Sequence, residues 1–218
     1  MLSIFEMIFL FALDEEKGNI LPFARKTLAY GLAGCVFAEL TLLGKVRSNA
    51  KRRLELIDSA STGDEILDEV ISEIQSSDKH HKLVFWISEL SSRPKKLRDR
   101  IGERLVAKDQ IYQEDRHFFW RSSSTEEPAR MLPSKGEMKN PLRAMILSDG
   151  ESDPHNLALL NVASACGLLN LIFTQDEFPI AQHCIHEKVI RAALENPAMQ
   201  TIEEIEQAIL GSLEDDLE

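Results

Sequence analysis

Glycine, proline and aromatic residues are all scarce in this chain: its 218 residues include 10 Gly, 8 Pro, 10 Phe, 2 Trp and 2 Tyr. A β-rich fold of this length needs many turns, and turns draw heavily on glycine and proline, so the shortage argues for helices. Cysteine is confined to Cys35, Cys166 and Cys184. An odd number, each in an apolar segment, excludes a disulfide framework and reads as three buried, reduced thiols in a cytoplasmic setting. No apolar run reaches the ~20 residues of a membrane-spanning helix. Residues 1–13 come nearest to a targeting segment, but they lack a basic leading stretch, contain Glu6 and stop at Asp14-Glu15-Glu16. Neither a signal peptide nor a span is expected there.

The usual carriers of chemistry are missing too. The chain has no Gly-rich phosphate loop, no G-x-S-x-G elbow, no H-E-x-x-H and no paired C-x-x-C. His183 and His186 lie one helical turn apart around Cys184, but zinc takes three or four ligands. His80-His81 is a weaker signal still. Cys35 sits beside Val36 and Phe37, surroundings that suit an inert thiol. No catalytic residue, metal or cofactor is expected, and the chain reads as a binding protein rather than an enzyme.

What is present is charge, unevenly spread. The net charge of −11 argues against general nucleic-acid binding, which depends on neutralising phosphates. Residues 203–218 hold seven acids and no base, whereas residues 93–104 hold Arg93, Lys95, Lys96, Arg98, Arg100 and Arg104 against Asp99 and Glu103. Lys45, Arg47, Lys51, Arg52 and Arg53 form a second basic cluster. Local basic patches on an acidic protein suggest a specific anionic target.

Periodicity predicts a mainly α single-domain bundle over residues 1–218, with a central buried helix pair and one or two short hairpins. Helices are expected at residues 1–13 and from about 22 or 25 to 43, the latter ending at Gly44. Gly31 and Gly34 inside the second helix suggest close approach of a neighbour. Residues 45–47 and 54–57 read as a hairpin, and Ser61-Thr62-Gly63-Asp64 opens a helix with Ile66, Leu67, Val70, Ile71 and Ile74 inward. Residues 79–90 form another. Pro94 fits the first turn of the basic helix, which buries Leu97, Ile101, Leu105 and Val106. Residues 111–112 and 118–121 read as a second hairpin, followed by a loop over 122–136. Helices are then expected at 138–147, 157–173, 179–194 and 202–213, the last opening at a capping box, Thr201-x-x-Glu204.

Two stretches carry functional promise. Lys95 and Arg98 share a helix face near the free N–H groups of the first turn, an arrangement that suits a phosphate group. A solvated face is the plainer reading. Phe118-Phe119-Trp120 in a strand must point to both faces, leaving one for a partner chain, a lipid interface or a covering loop. A basic helix followed by an aromatic hairpin also leaves open a winged-helix-like nucleic-acid binder.

In order and spacing, several segments together resemble the Golgi phosphoprotein 3 family, in the manner of a shorter, prokaryotic-type member. They are Leu13-Asp14-Glu15-Glu16-Lys17-Gly18, Gly31-Leu32-Ala33-Gly34-Cys35, Ala38-Glu39-Leu40, Gly44-Lys45-Val46, Thr62-Gly63-Asp64, Leu67-Asp68-Glu69, Lys96-Leu97-Arg98, Leu105-Val106-Ala107-Lys108 and Asp153-Pro154. The resemblance implies a helical bundle without enzymatic activity. It also implies docking on membranes through a basic pocket for phosphatidylinositol 4-phosphate, binding of glycosyltransferase tails, and self-association through a hairpin. That hairpin falls on about residues 114–125. Two cationic pocket positions fall on Lys95 and Arg98. The pocket tryptophan falls near Ala24, beside Arg25 and Lys26, and its further arginine on Ala33.

The expected function is therefore that of a peripheral membrane adaptor recognising anionic, phosphoinositide-like headgroups through Lys95, Arg98, Arg100, Arg25 and Lys26. Phe118, Phe119 and Trp120 would insert in the membrane or join protomers. The alternatives are the nucleic-acid binder and a soluble protein–protein adaptor.

Overall fold

Eight of the nine residues of the first helix, α1 (Ile4–Ala12), are buried, Met7 being the exception. A helix apolar nearly all round has no solvent face to offer, so it becomes the centre of a bundle. The computed structural model describes residues 2–14, 18–112, 130–131, 135–148 and 152–215. Among them, α1 is followed by α2 (Leu28–Leu42), α3 (Glu65–Ser76), α4 (Leu83–Ser91), α5 (Pro94–Ala107), α6 (Lys135–Leu147), α7 (Pro154–Ala165), α8 (Phe178–Glu195) and α9 (Pro197–Asp215). Strands β1 (Val46–Ser48) and β2 (Leu54–Leu56) pair antiparallel, Val46 opposite Leu56, as do β3 (Ile111–Tyr112) and β4 (Arg130–Met131). The mainly α architecture expected from composition is what forms.

Helices α2 and α7 pack together as the anticipated buried pair, with α1 against both and α9 closing the far side against α2, α7 and α8. One continuous apolar cluster runs through them, including Phe5, Phe9, Phe11, Phe37, Leu159 and Ile209. Each such side chain contributes roughly 1.5–3 kcal/mol on burial. Gly34 serves the purpose its position suggested: a Cβ there would lie 2.5 Å from Ile209 Cδ1 on α9.

Burying α1 leaves its terminal backbone groups without water, so side chains must satisfy them. Ser3 and Glu6 form a capping box, the Ser3 N–H donating to Glu6 Oε2 at 2.8 Å. The Ile4 N–H donates to Glu39 Oε2 of α2 at 2.8 Å. At the other end Leu21 N–H donates to the Ala12 carbonyl at 2.9 Å. The Lys135 ammonium, almost wholly buried, reaches the Phe11 carbonyl at 3.1 Å and also donates to that of Leu13. The fully buried Glu6 carboxylate is met by Lys108 Nζ at 2.7 Å.

The same Glu39 oxygen lies 3.6 Å from His155 Nε2, in the first turn of α7. The hydrogen bond to Glu39 raises the imidazole's pKa above its ordinary 6.5, outweighing burial. A raised folded-state pKa gives stability that is fully present below pH 6.5 and lost as pH rises through the folded value. The urea midpoint of the wild type is expected to fall between pH 6 and pH 8 by more than that of His155→Gln.

Several expectations change. The helix read at 157–173 starts earlier, at Pro154 with Asp153 capping Asn156 N–H at 2.9 Å. It stops at Cys166 because Gly167 turns left-handed (φ 67°). The last helix opens at Pro197, not at Thr201: Thr201 Oγ1 donates to the Pro197 carbonyl and accepts from Ser48 N–H, tying α9 to β1. Helix α6 begins at Lys135 rather than 138. Cys35 and Cys166 are buried, but Cys184 is only partly so, because it lies on the flank of α8. Residues 111–112 pair with 130–131, and the hairpin partner read at 118–121 lies outside the described residues. Phe118, Phe119 and Trp120, and residues 114–125 as a whole, lie outside the described residues.

Candidate anion-binding surface

Helix α5 buries Leu97, Ile101 and Leu105, one every four residues, and this fixes where its charges point. On one flank Arg93, Lys96, Arg100 and Arg104 face α3. There every one of them meets acid. Arg93 bonds Glu73 and, on α4, Glu89, each at 2.7 Å. Lys96 and Arg100 converge on Glu69. Arg104 grips Asp64 with both nitrogens, Nη2 to Oδ1 at 2.9 Å, and its guanidinium stands 5.6 Å from the centre of the Phe5 ring.

Electrostatics follow the geometry. The Lys96 hydrogen bond, with Arg100 beside it, holds the Glu69 carboxyl below the usual carboxylate range. Burial alone would raise Asp64, but Arg104 and the N–H groups of Ile66 and Leu67 outweigh it, and its pKa falls. The Glu89 and Glu73 hydrogen bonds raise Arg93. The cleft between these helices, floored by Ile66, Val70 and Leu97, is only about 20 Å³, room for roughly one water. On this flank the cations are matched by acids across the α3–α5 seam.

Lys95 and Arg98 lie on the other flank, as the three-residue spacing predicts. Lys95 is exposed and Arg98 half-buried. Arg100, expected beside them, instead faces Glu69. Arg25 and Lys26 are exposed just after a short 3-10 turn, Pro22–Ala24. Leu21 ties that turn to the end of α1 at Ala12, whereas α5 meets α1 at Phe5 and Glu6. The five expected residues therefore divide into two pairs and a structural arginine. Ala24 and Ala33 are fully buried, so the core closes over both positions where the resemblance places other pocket residues.

Several of the motif residues behind the resemblance act as structural supports. In Thr62-Gly63-Asp64, Gly63 is left-handed (φ 81°), Asp64 caps α3 and Thr62 Oγ1 donates to Asp68 at 2.7 Å. Ser61 and Thr62 together hold Asp68 at about 2. Lys45 is nearly buried against Asp58 at 2.6 Å and so leaves the second basic cluster.

Sequence reading missed how that cluster is completed. The backbones of Arg53 and Lys82 pair in an isolated antiparallel β-bridge, Leu54 N–H donates to the His81 carbonyl at 2.9 Å, and Arg53 Nη1 donates to the His80 carbonyl at 2.8 Å. The hairpin tip thus lies against the segment leading into α4. Each run is basic in the sequence, but nothing there pairs them.

Among the described residues no group of three His, Cys, Asp or Glu side chains could hold a metal. His183 faces Glu187 at 3.5 Å on an exposed stretch of α8. Burial pushes the Cys35 thiol well up and that of Cys166 to about 12, far from a thiolate nucleophile. No helix among the described residues is long and apolar enough to cross a membrane.

Comparison with known proteins places the chain among others. The family model described as Golgi phosphoprotein 3 (GPP34) matches residues 4–207. Vacuolar protein sorting-associated protein 74 of Eremothecium gossypii is 28% identical over 138 residues, 54% of this chain and 41% of the relative. The Schizosaccharomyces pombe protein of the same name is 28% identical over 137 residues, 54% and 40% of the two chains. A VPS74-like protein of Dictyostelium discoideum is 30% identical over 122 residues, 50% and 46%. The matched stretch is thus less than half the length of each of these relatives.

Proposed function

The chain belongs to the Golgi phosphoprotein 3 family, and from that premise we propose that it is a non-enzymatic adaptor acting peripherally at a membrane surface. In this reading the whole chain is a single unit of that family. It recognises anionic phospholipid headgroups, phosphoinositide-like ones included, and recruits protein clients to them. One observation supports this most: of the α5 cations, Lys95 and Arg98 alone stand on the flank turned away from the acids of α3. Arg25 and Lys26 offer a second exposed pair. With Ala24 and Ala33 sealed in the core, contact with a headgroup is carried by charge rather than by a stacking ring. Self-association through the segment holding Phe118, Phe119 and Trp120 is part of the same reading.

A cation near an anionic leaflet is worth about 1 kcal/mol. The double substitution Lys95→Gln with Arg98→Gln is therefore expected to weaken partitioning onto vesicles containing phosphatidylinositol 4-phosphate by about thirtyfold. Flotation with graded anionic content measures it. Unchanged flotation of the double variant would remove these residues from the site.

A further inference from the structure

We propose that the tip of the β1–β2 hairpin and the segment leading into α4 together form a second surface that docks onto anionic phospholipid membranes. This rests on the membrane reading above but on different residues. Residues 49–53 and 79–82 contain Lys51, Arg52, Arg53, Lys79 and Lys82, with His80 and His81, and no acid. The Arg53–Lys82 bridge brings the two runs side by side. All five cations are exposed, and among the described residues none of them takes part in an ion pair. The contrast with α5 is sharp, since four cations there are already matched by Asp64, Glu69, Glu73 and Glu89.

The turn is built to present these side chains. Asn49 Oδ1 accepts from the N–H groups of Lys51 and Arg53, at 2.8 and 3.1 Å, and its amide donates to Glu55. Arg52 is held left-handed, φ 54°, a conformation in which glycine would be less strained. Beneath Arg52 and Lys82 opens a cavity of about 200 Å³, with Leu83 and Val84 on one wall and Glu204 and Gln207 on the other. Arg52 and Lys82 in its lining offer two cations to a phosphoryl group, while the Glu204 carboxylate in the same lining already accepts from Ser48 Oγ.

Two features favour a membrane over a nucleic acid. Phe85 is 41% exposed beside the patch, its ring stacked on His81 at 3.8 Å, and an aromatic at a basic rim suits the interfacial region of a bilayer. A plane also meets a hairpin tip without meeting the rest of a protein of net charge −11, whereas a long polyanion follows the surface into its acidic remainder. Membrane attraction acts within about 10 Å, so a local patch suffices.

The test is flotation of the full chain with phosphatidylcholine vesicles, with and without phosphatidylglycerol, at low and high salt. The wild type is compared with a triple variant, Lys51→Gln, Arg52→Gly and Lys82→Gln, and with the Lys95→Gln, Arg98→Gln double variant. Thermal denaturation checks that each variant folds, and Arg52→Gly suits the local backbone. The triple variant is expected to lose about a hundredfold in partitioning at low salt, while the double variant still binds these vesicles. A triple variant that floats like the wild type overturns this surface and leaves the Lys95 and Arg98 reading standing. Wild-type protein that ignores the vesicles but shifts an RNA through the same three residues overturns the lipid assignment.

Discussion

Valine at position 34 is expected to destabilise the folded chain by about 3 kcal/mol, through overpacking of a close helix crossing. Gly34 of α2 faces α9, where even a single added carbon would stand 2.5 Å from Ile209 Cδ1 and 3.3 Å from Ile205 Cγ2. Helix propensity works the other way, since glycine in a helix interior costs about 1 kcal/mol relative to alanine. Alanine at 34 therefore sets that gain against one displaced methyl group, whereas valine adds two further carbons in a fully buried seam. The crossing can be tested in pairs. Ile209→Val removes Cδ1, the atom that the new Cβ would strike, so Gly34→Ala combined with Ile209→Val should cost less than the sum of the two singles. Equilibrium urea denaturation of the four proteins measures the coupling, and strict additivity would mean that the α2–α9 contact is not the constraint.

Lys135→Met is the second large effect, expected to cost about 3 kcal/mol. Methionine keeps most of the aliphatic volume and removes the ammonium. The carbonyls of Phe11 and Leu13 then lose the donor that reaches them inside the bundle, where neither residue has more than 1% exposure. A buried acceptor left unpaired costs roughly 1–3 kcal/mol, so two outweigh the relief of removing a buried charge. The matched control is Lys139→Met, a half-buried lysine one turn further along the same helix, expected to change stability by less than about 0.5 kcal/mol. Denaturation midpoints that move equally for the two would show that the Lys135 bonds contribute nothing.

These two residues differ in how visible they were. Gly34 announced itself, because a glycine inside a long apolar helix needs a steric reason. Lys135 did not, because nothing in Ser134-Lys135-Gly136 separates a buried lysine from an exposed one. Helix positions followed the same division. Stretches with strong apolar periodicity, such as 66–74 and 97–105, were legible with their inward faces. Their ends were less so. Thr201-x-x-Glu204 matches a helix start, yet α9 begins a turn earlier at Pro197 and uses both side chains to hold Ser48 of β1. A capping pattern states what two side chains can do locally, and a tertiary partner can claim them first.

The candidate site shows the limit most clearly. Six basic residues between Arg93 and Arg104 read as one patch, because charge counts in a linear chain carry no direction. Once Leu97, Ile101 and Leu105 are buried, helical geometry turns four of the six toward α3 and leaves Lys95 and Arg98 on the other side. The opposite happened at the hairpin: two modest runs thirty residues apart became one basic surface through the Arg53–Lys82 bridge.

Composition and periodicity by themselves determined that this chain is a mainly helical bundle with α2 and α7 as its buried central pair. Those properties depend on local propensity and on the total apolar surface to be buried, and both are sums over the sequence. Only the tertiary structure decided which charges are spent on one another and which still face solvent. Ion pairing depends on separations of a few ångströms between segments far apart in the chain, and no local pattern encodes them.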